Sequence, residues 1–439
     1  MNPLTINELG EVIRKVRKKR GLRLNDLADE NISQATISNI ERGVPHVHND
    51  KIQYLLEKLE IKDKLPELLM DEQQELRDIQ FQLTVIESLI KVKQYDQALK
   101  KLEEFDLDDD HPYAAEVSLW KGRTFLEQGK LKRAERILYQ TIRLANLNPF
   151  SKQKNIEAHS YNLLSLCSFF QNDMEQALQH NESGLKAFDE NSEDHELKYI
   201  LIRNKALFLE RMDRFTEGLQ VIQDNWHLIP KIRQTENMLG FYWVRAEMLR
   251  RSGLLDEAEK YALEGLSLAQ LNFHYDSMFN HWTLLGSIYL ATENWNKAES
   301  CFNVAISMKE ELTYQQKIAT TYTRLGMLYL RRQKWSKAEE FLDKAISNAE
   351  KYDAIPRLID ALLVKGELYL AQNKEQEAIP YLERAAKLAQ KHQYEKKEYK
   401  AWFLLARAWS DTDEQEFAHC TRNMYQVQEK LEPKEVHPL

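Results

Sequence analysis

The sequence predicts an all-α protein in which a small helical head precedes a long array of helical hairpins. Three observations lead there. A stretch of the chain recurs at a step of 40 residues: GSIYLATENWNKAESCFNVAI from Gly286, GMLYLRRQKWSKAEEFLDKAI from Gly326 and GELYLAQNKEQEAIPYLERAA from Gly366. Only 13 Gly and 10 Pro punctuate 439 residues, so long helices are expected. The first 65 residues, by contrast, break into short apolar-periodic segments closed by Gly21 and Gly43, the pattern of a compact bundle.

Taken in order, the head (1–65) opens with Leu9, Val12, Ile13 and Val16 at i, i+3, i+4 and i+7, one buried face of a first helix that Gly21 ends. Leu27 and Ala28 mark a short second helix. Ser33 is placed to cap a third, QATISNIERG, closed by Gly43. A fourth, DKIQYLLEKLEI, buries Ile52, Leu55, Leu56 and Leu59. This punctuation, and the ISNIERG run above all, resembles the helix-turn-helix domain of the phage-repressor type. The resemblance implies that the third helix enters a major groove. Gln34, Ala35, Thr36, Ser38 and Asn39 are short enough for close approach. Gln and Asn pair with adenine edges, and Ala and Thr methyls touch thymine methyls. Lys18, Lys19, Arg20 and Arg42 would face phosphates, with salt-dependent and sequence-blind affinity. The bland alternative is a solvated face on a protein-binding bundle. The resemblance further implies an ion pair between Arg17 and Glu41, making Arg17 structural. Leu24 departs from the usual pattern: it stands where such domains carry Gln near the start of the second helix, so phosphate anchoring from that helix is not expected.

Pro66 marks the end of the head, and residues 66–80 read as a helical linker. The repeat domain follows at 81–432, with a tail at 433–439. Each repeat copy sets Gly, then Tyr three residues on, then Ala twelve after the Gly, a pattern that resembles the tetratricopeptide repeat. In that register Gly286 and Ala298 are close-contact points, and Tyr289 and Phe302 fill the groove. The second-helix Ala recurs at 258, 298, 338, 378 and 418. Weaker copies place Gly218, Ala177, Ala134 and Ala98 there. Gly122, Ser165, Ala206, Ala246 and Ala406 hold the first-helix position, with Ile86 breaking the pattern. About nine hairpins result, and a right-handed superhelix is expected. The 40-residue step exceeds the usual repeat of about 34. Longer helices are expected to absorb the excess, since SMKEELTYQQKIATTY contains no breaker.

A helix-turn-helix head on such a body resembles the peptide-pheromone regulators of Gram-positive bacteria, the Rap, NprR, PlcR and PrgX group. The short turn in LADENISQATIS, with Asn31 and Ile32, is most similar to PlcR-like members. The resemblance implies a cytoplasmic homodimer that binds operator DNA and is switched by a short signalling oligopeptide in the concave groove. Repeat geometry nominates groove residues independently: Arg123, His159, Asn162, Arg203, Asn204, Trp243, Glu247, Asn280, Thr283 and Arg324. Asn clamps a peptide backbone with both donor and acceptor, Arg takes a carboxylate, and Trp243 would wall a side-chain pocket. Any one of these could equally be a solvated polar residue. The resemblance also leaves open a signalling adaptor, whose repeats bind a response regulator and inhibit or dephosphorylate it.

Composition narrows the rest. The head carries 12 Lys plus Arg against 10 Asp plus Glu, whereas the whole chain has net charge −8, so two surfaces with different partners are expected. No Gly-rich phosphate loop, HExxH, CxxC or GxSxG occurs, so neither an enzyme nor a cofactor is expected. Cys167, Cys301 and Cys420 are odd in number and widely spaced, which predicts buried thiols rather than a disulfide or metal framework. His46 and His48 sit in a presumed loop, and Asp108–Asp110 with His111 read as an acidic turn before Pro112. No apolar run is long enough for a membrane span.

Overall fold

The computed structural model describes residues 3–44, 47–147, 150–192 and 194–431, and every regular element among them is helical. His46 and the 433–439 tail lie outside the described residues. The head comprises α1 (Pro3–Lys19), α2 (Leu24–Leu27), α3 (Gln34–Glu41) and α4 (Asn49–Lys58). Ser33 caps α3 as the sequence predicts, its hydroxyl accepting from Thr36 N–H at 3.1 Å. Leu9, Val12, Ile13, Ile37, Leu55, Leu56 and Leu59 form one buried cluster, which Leu24 joins from its edge. Gly10 is the close-approach point: a Cβ there would lie 2.5 Å from the carbonyl oxygen of Ile40, so α1 crosses α3 backbone to backbone.

The helix that leaves the head, α5 (Leu65–Lys91), runs unbroken through the expected linker into the first repeat. Pro66 occupies its first turn, where a missing N–H costs nothing. Leu65, Leu68 and Leu69 of its start pack against the head cluster, so head packing continues past Pro66. The hairpins then follow as α5 with α6 (Tyr95–Glu103), α7 (Ala114–Glu127) with α8 (Leu131–Ala145), and, after the short α9 (Phe150–Gln153), α10 (Ile156–Phe170) with α11 (Met174–Ala187). Next come α12 (Glu196–Arg211), α13 (Phe215–Asp224), α14 (Thr235–Arg251) with α15 (Leu255–Leu271), and α16 (Tyr275–Ala291) with α17 (Trp295–Ser307). The last are α18 (Ile318–Arg331) with α19 (Trp335–Lys351), α20 (Ile355–Leu370) with α21 (Glu375–Lys391), and α22 (Glu395–Trp409) with α23 (Glu414–Leu431). Compact packing divides the chain into Met1–Met212 and Asp213–Leu439, so the head belongs with the early repeats rather than forming a unit of its own.

The repeat register is visible in the burial. Ala98, Ala134, Ala177, Ala258, Ala298, Ala338 and Ala378 have no exposed surface. At Gly286 a Cβ would sit 2.4 Å from the Phe302 ring, so the absent side chain is the space that ring fills. The repeated Tyr does more than fill a groove. Tyr289, Tyr329 and Tyr369 donate their hydroxyls to Glu259, Glu299 and Glu339 of the preceding hairpin at 2.5, 2.6 and 2.5 Å.

Two expectations fail. Ala418 is exposed; in the last hairpin the burying stripe has moved on to Cys420 and Val427. The breaker-free stretch after α17 is not a longer helix either. It folds as two 3-10 turns, Lys309–Glu311 and Gln315–Lys317. Tertiary contacts override propensity there: Leu312 is buried, and Asp276 accepts from Thr313 N–H and Lys317 Nζ at 3.1 and 2.9 Å. Longer helices do account for the 40-residue step at α15, α19 and α21, of 17 residues each.

Candidate functional site

On α3, the buried Ile37 and Ile40 turn the opposite face outward. Gln34 and Ala35 are exposed there, and Thr36, Ser38 and Asn39 half-buried. Arg42 folds back on its own helix: Nη2 donates to Asn39 Oδ1 at 2.7 Å and Nε to the Ser38 carbonyl at 3.3 Å. The Asn39 oxygen is thus engaged, while its amide group keeps both donors. The Arg17–Glu41 pair forms as the resemblance implied, Nε to Oε1 at 2.5 Å and Nη2 to Oε2 at 2.8 Å. Nη1 adds the Leu22 carbonyl at 2.9 Å. Both residues are buried, and the pair ties the end of α1 to the end of α3.

Lys19 is exposed, as a phosphate contact requires. Lys18 is exposed too but is held by Asp108, in the loop ahead of α7. The buried Arg14 pairs with Asp110 of that loop. The acidic turn read from the sequence is therefore a docking element for the head. Burial, then the charges of Arg14 and Lys15, push His111 beside it down to about 3, so this imidazole is neutral.

In the first unit, Asn204 Nδ2 donates to Asn162 Oδ1 at 3.0 Å, with both amides buried. Arg203 Nη2 lies 3.4 Å from Asn204 Oδ1. Arg123 stacks on Trp120, 5.1 Å from the ring centroid. His159 is committed within the protein, 2.7 Å from Asp194. In the second unit, Glu247 is buried and takes Arg250 Nη2 and Nε at 2.6 and 2.8 Å and Arg251 Nε at 3.0 Å. Burial pushes the Glu247 carboxyl up, but Arg250, and then Arg324 and Arg251, outweigh it and hold the group at about 2. Arg324 is lowered to about 10 by burial first and by Arg250 second. Two guanidinium groups thus bind one carboxylate and the charge of a third, Arg324, acts on it, a local excess of positive charge suited to an anion. Thr283 is tied to Thr321, hydroxyl to hydroxyl at 2.9 Å. Asn280 is half-buried. Trp243 packs against the Ala246, Leu249 and Leu285 cluster, so much of its ring belongs to the core rather than to a pocket wall. Lys365, which no sequence pattern singles out, is buried and held by Asp343 at 2.8 Å and Glu339 at 3.2 Å.

Cys167, Cys301 and Cys420 are buried free thiols, burial raising them to about 12, 11 and 11. Among the described residues no helix is long and apolar enough to cross a membrane.

These features define a helix-turn-helix head on a tetratricopeptide-repeat body. Residues 13–62 match the helix-turn-helix family model, and residues 87–149 and 317–391 match tetratricopeptide repeat models. The fold is that of Rap and NprR. A Rap protein complexed with Competence and Sporulation Factor superposes with TM-score 0.58 at 17% identity, over 81% of this chain and 99% of that one. The apo quorum sensor NprR from B. thuringiensis gives 0.55 at 14%, again over 81% and 99%. The Rap conjugation gene regulator of the plasmid pLS20, with a Phr peptide, gives 0.52 at 13%, over 74% and 99%. No curated protein sequence matches the chain.

Proposed function

We propose that this protein is a peptide-responsive transcription regulator. The observation that carries the reading is the joining of two parts. One is a helix-turn-helix head whose α3 shows Gln34, Ala35, Thr36, Ser38 and Asn39 on its outer face. The other is a repeat body with the fold of a Rap protein complexed with Competence and Sporulation Factor and of a Rap conjugation gene regulator in complex with a Phr peptide. The head reads operator DNA through Gln34 and the Asn39 amide, while Lys19 supplies sequence-blind attraction. A homodimer in the cytoplasm would read two half-sites. The body takes a short oligopeptide in its second unit: Asn280 holds the peptide backbone, and Arg324 with Arg250 and Arg251 receives a carboxylate.

Calorimetric titration of the full chain with the product of a neighbouring precursor gene tests the peptide half. Asn280→Ala is expected to lose about 1–3 kcal/mol of binding where a buried partner is left unsatisfied. Arg324→Ala is expected to weaken the free-acid peptide but not its C-terminal amide. Equal affinity for wild type and both variants would overturn the assignment.

A further inference from the structure

We propose that Glu11, Glu72 and His111 form a divalent-cation site of the zinc type, pinning the head to the first repeat. The three come from separate segments: α1, α5 and the loop ahead of α7. They are 1%, 3% and 3% exposed, and one ligand atom from each lies within 4.8 Å of the other two. Carboxylate oxygens and an imidazole nitrogen are donors that Zn2+ accepts in tetrahedral geometry at about 2.0–2.2 Å. A water completes the set. The ligand atoms need to close in only modestly around the ion.

Two of these side chains carry a polar atom that the protein leaves unpaired. Glu72 uses Oε2 for Lys15 at 2.7 Å, while its Oε1 is buried without a hydrogen-bond partner. His111 accepts from Tyr113 N–H through Nδ1 at 3.1 Å, while its Nε2 is buried without one. Two orphaned atoms in one cluster, on side chains each 3% exposed, are costly to fold around unless something bridges them. Glu11 uses Oε1 for Arg14 at 2.6 Å.

The cluster is tied into a wider ionic network: Glu11, Glu72, Glu75, Asp108 and Asp110 are linked by ion pairs to Arg14, Lys15 and Lys18. Coordination at Nε2 moves the imidazole proton to Nδ1, at the expense of the Tyr113 bond. No proton need leave the site. The inference does not depend on the regulatory reading, because it concerns only how the head is fastened.

The test uses the full chain, stripped with a chelator, desalted and titrated with Zn2+ against a chromophoric competitor, with bound metal counted by mass spectrometry. One tightly held Zn2+ per chain is expected, together with a zinc-dependent rise in the unfolding midpoint. Both should disappear in His111→Gln and persist in Glu75→Gln. Because His111→Gln keeps a neutral polar group, circular dichroism should show it folded. Failure of the wild type to take up Zn2+ would overturn the proposal, as would equal uptake and equal stabilisation in His111→Gln.

Discussion

Replacing Arg17 by Ala isolates the ion pair that joins α1 to α3. The guanidinium makes three hydrogen bonds, two to Glu41 and one to the Leu22 carbonyl. Its removal strands Glu41, which is 7% exposed, as a buried carboxylate without a counter-ion. Breaking one partner of a buried pair costs about 3–5 kcal/mol. About 3–5 kcal/mol is therefore the expected destabilisation of the head. The readout is amide hydrogen exchange of the full chain, since Leu65, Leu68 and Leu69 complete the head core and a fragment cut at 66 would lose them. Exchange over 37–44 should accelerate by two orders of magnitude or more, at about 1.36 kcal/mol per decade. Unchanged exchange together with altered base preference would refute the reasoning and make Arg17 a reader of DNA.

Asn39→Ala is expected to cost about 1–3 kcal/mol at a cognate site, whereas Lys19→Ala should weaken all duplexes alike; anisotropy titrations on specific and random DNA separate the two. Gly286→Ala drives a methyl toward the Phe302 ring, where a Cβ would stand at 2.4 Å. Overpacking of that kind costs about 1–3 kcal/mol, read by chemical denaturation. Glu247 lies below its usual value in the folded protein, at about 2. Its contribution is therefore complete above the ordinary carboxyl pKa and lost as pH falls from about 4.5 toward 2. An acid titration of stability should show that loss in wild type and not in Glu247→Gln.

Much of this fold was legible because it depends on local chemistry. The Gly286, Gly326 and Gly366 copies fix a register that the unexposed alanines obey, and Ser33, Gly21 and Gly43 punctuate the head where the structure ends its helices. The resemblance also placed Arg17 opposite Glu41. The register failed at Ala418, where an exposed helix face no longer enforces it. It gave no warning of the turns at 309–317, because a buried Leu312 and an Asp276 carboxylate from another helix decide that segment. Lys18 and Asp108 are 90 residues apart in sequence, and no periodicity connects them. The same holds for Glu11 and Glu72, which no sequence pattern singles out, and for His111, which the sequence places in an acidic turn. Gly10 could have been suspected, as a glycine inside an otherwise apolar-periodic helix.

The central claim, that the head reads DNA sequence through the outer face of α3, is tested most directly by selecting duplexes from a random pool with the full chain. Wild-type protein should enrich one defined sequence. Gln34→Ala and Asn39→Ala should lose or change that sequence while still retaining random DNA at low salt. No enrichment by the wild type, or an identical enriched sequence from both variants, would contradict the account.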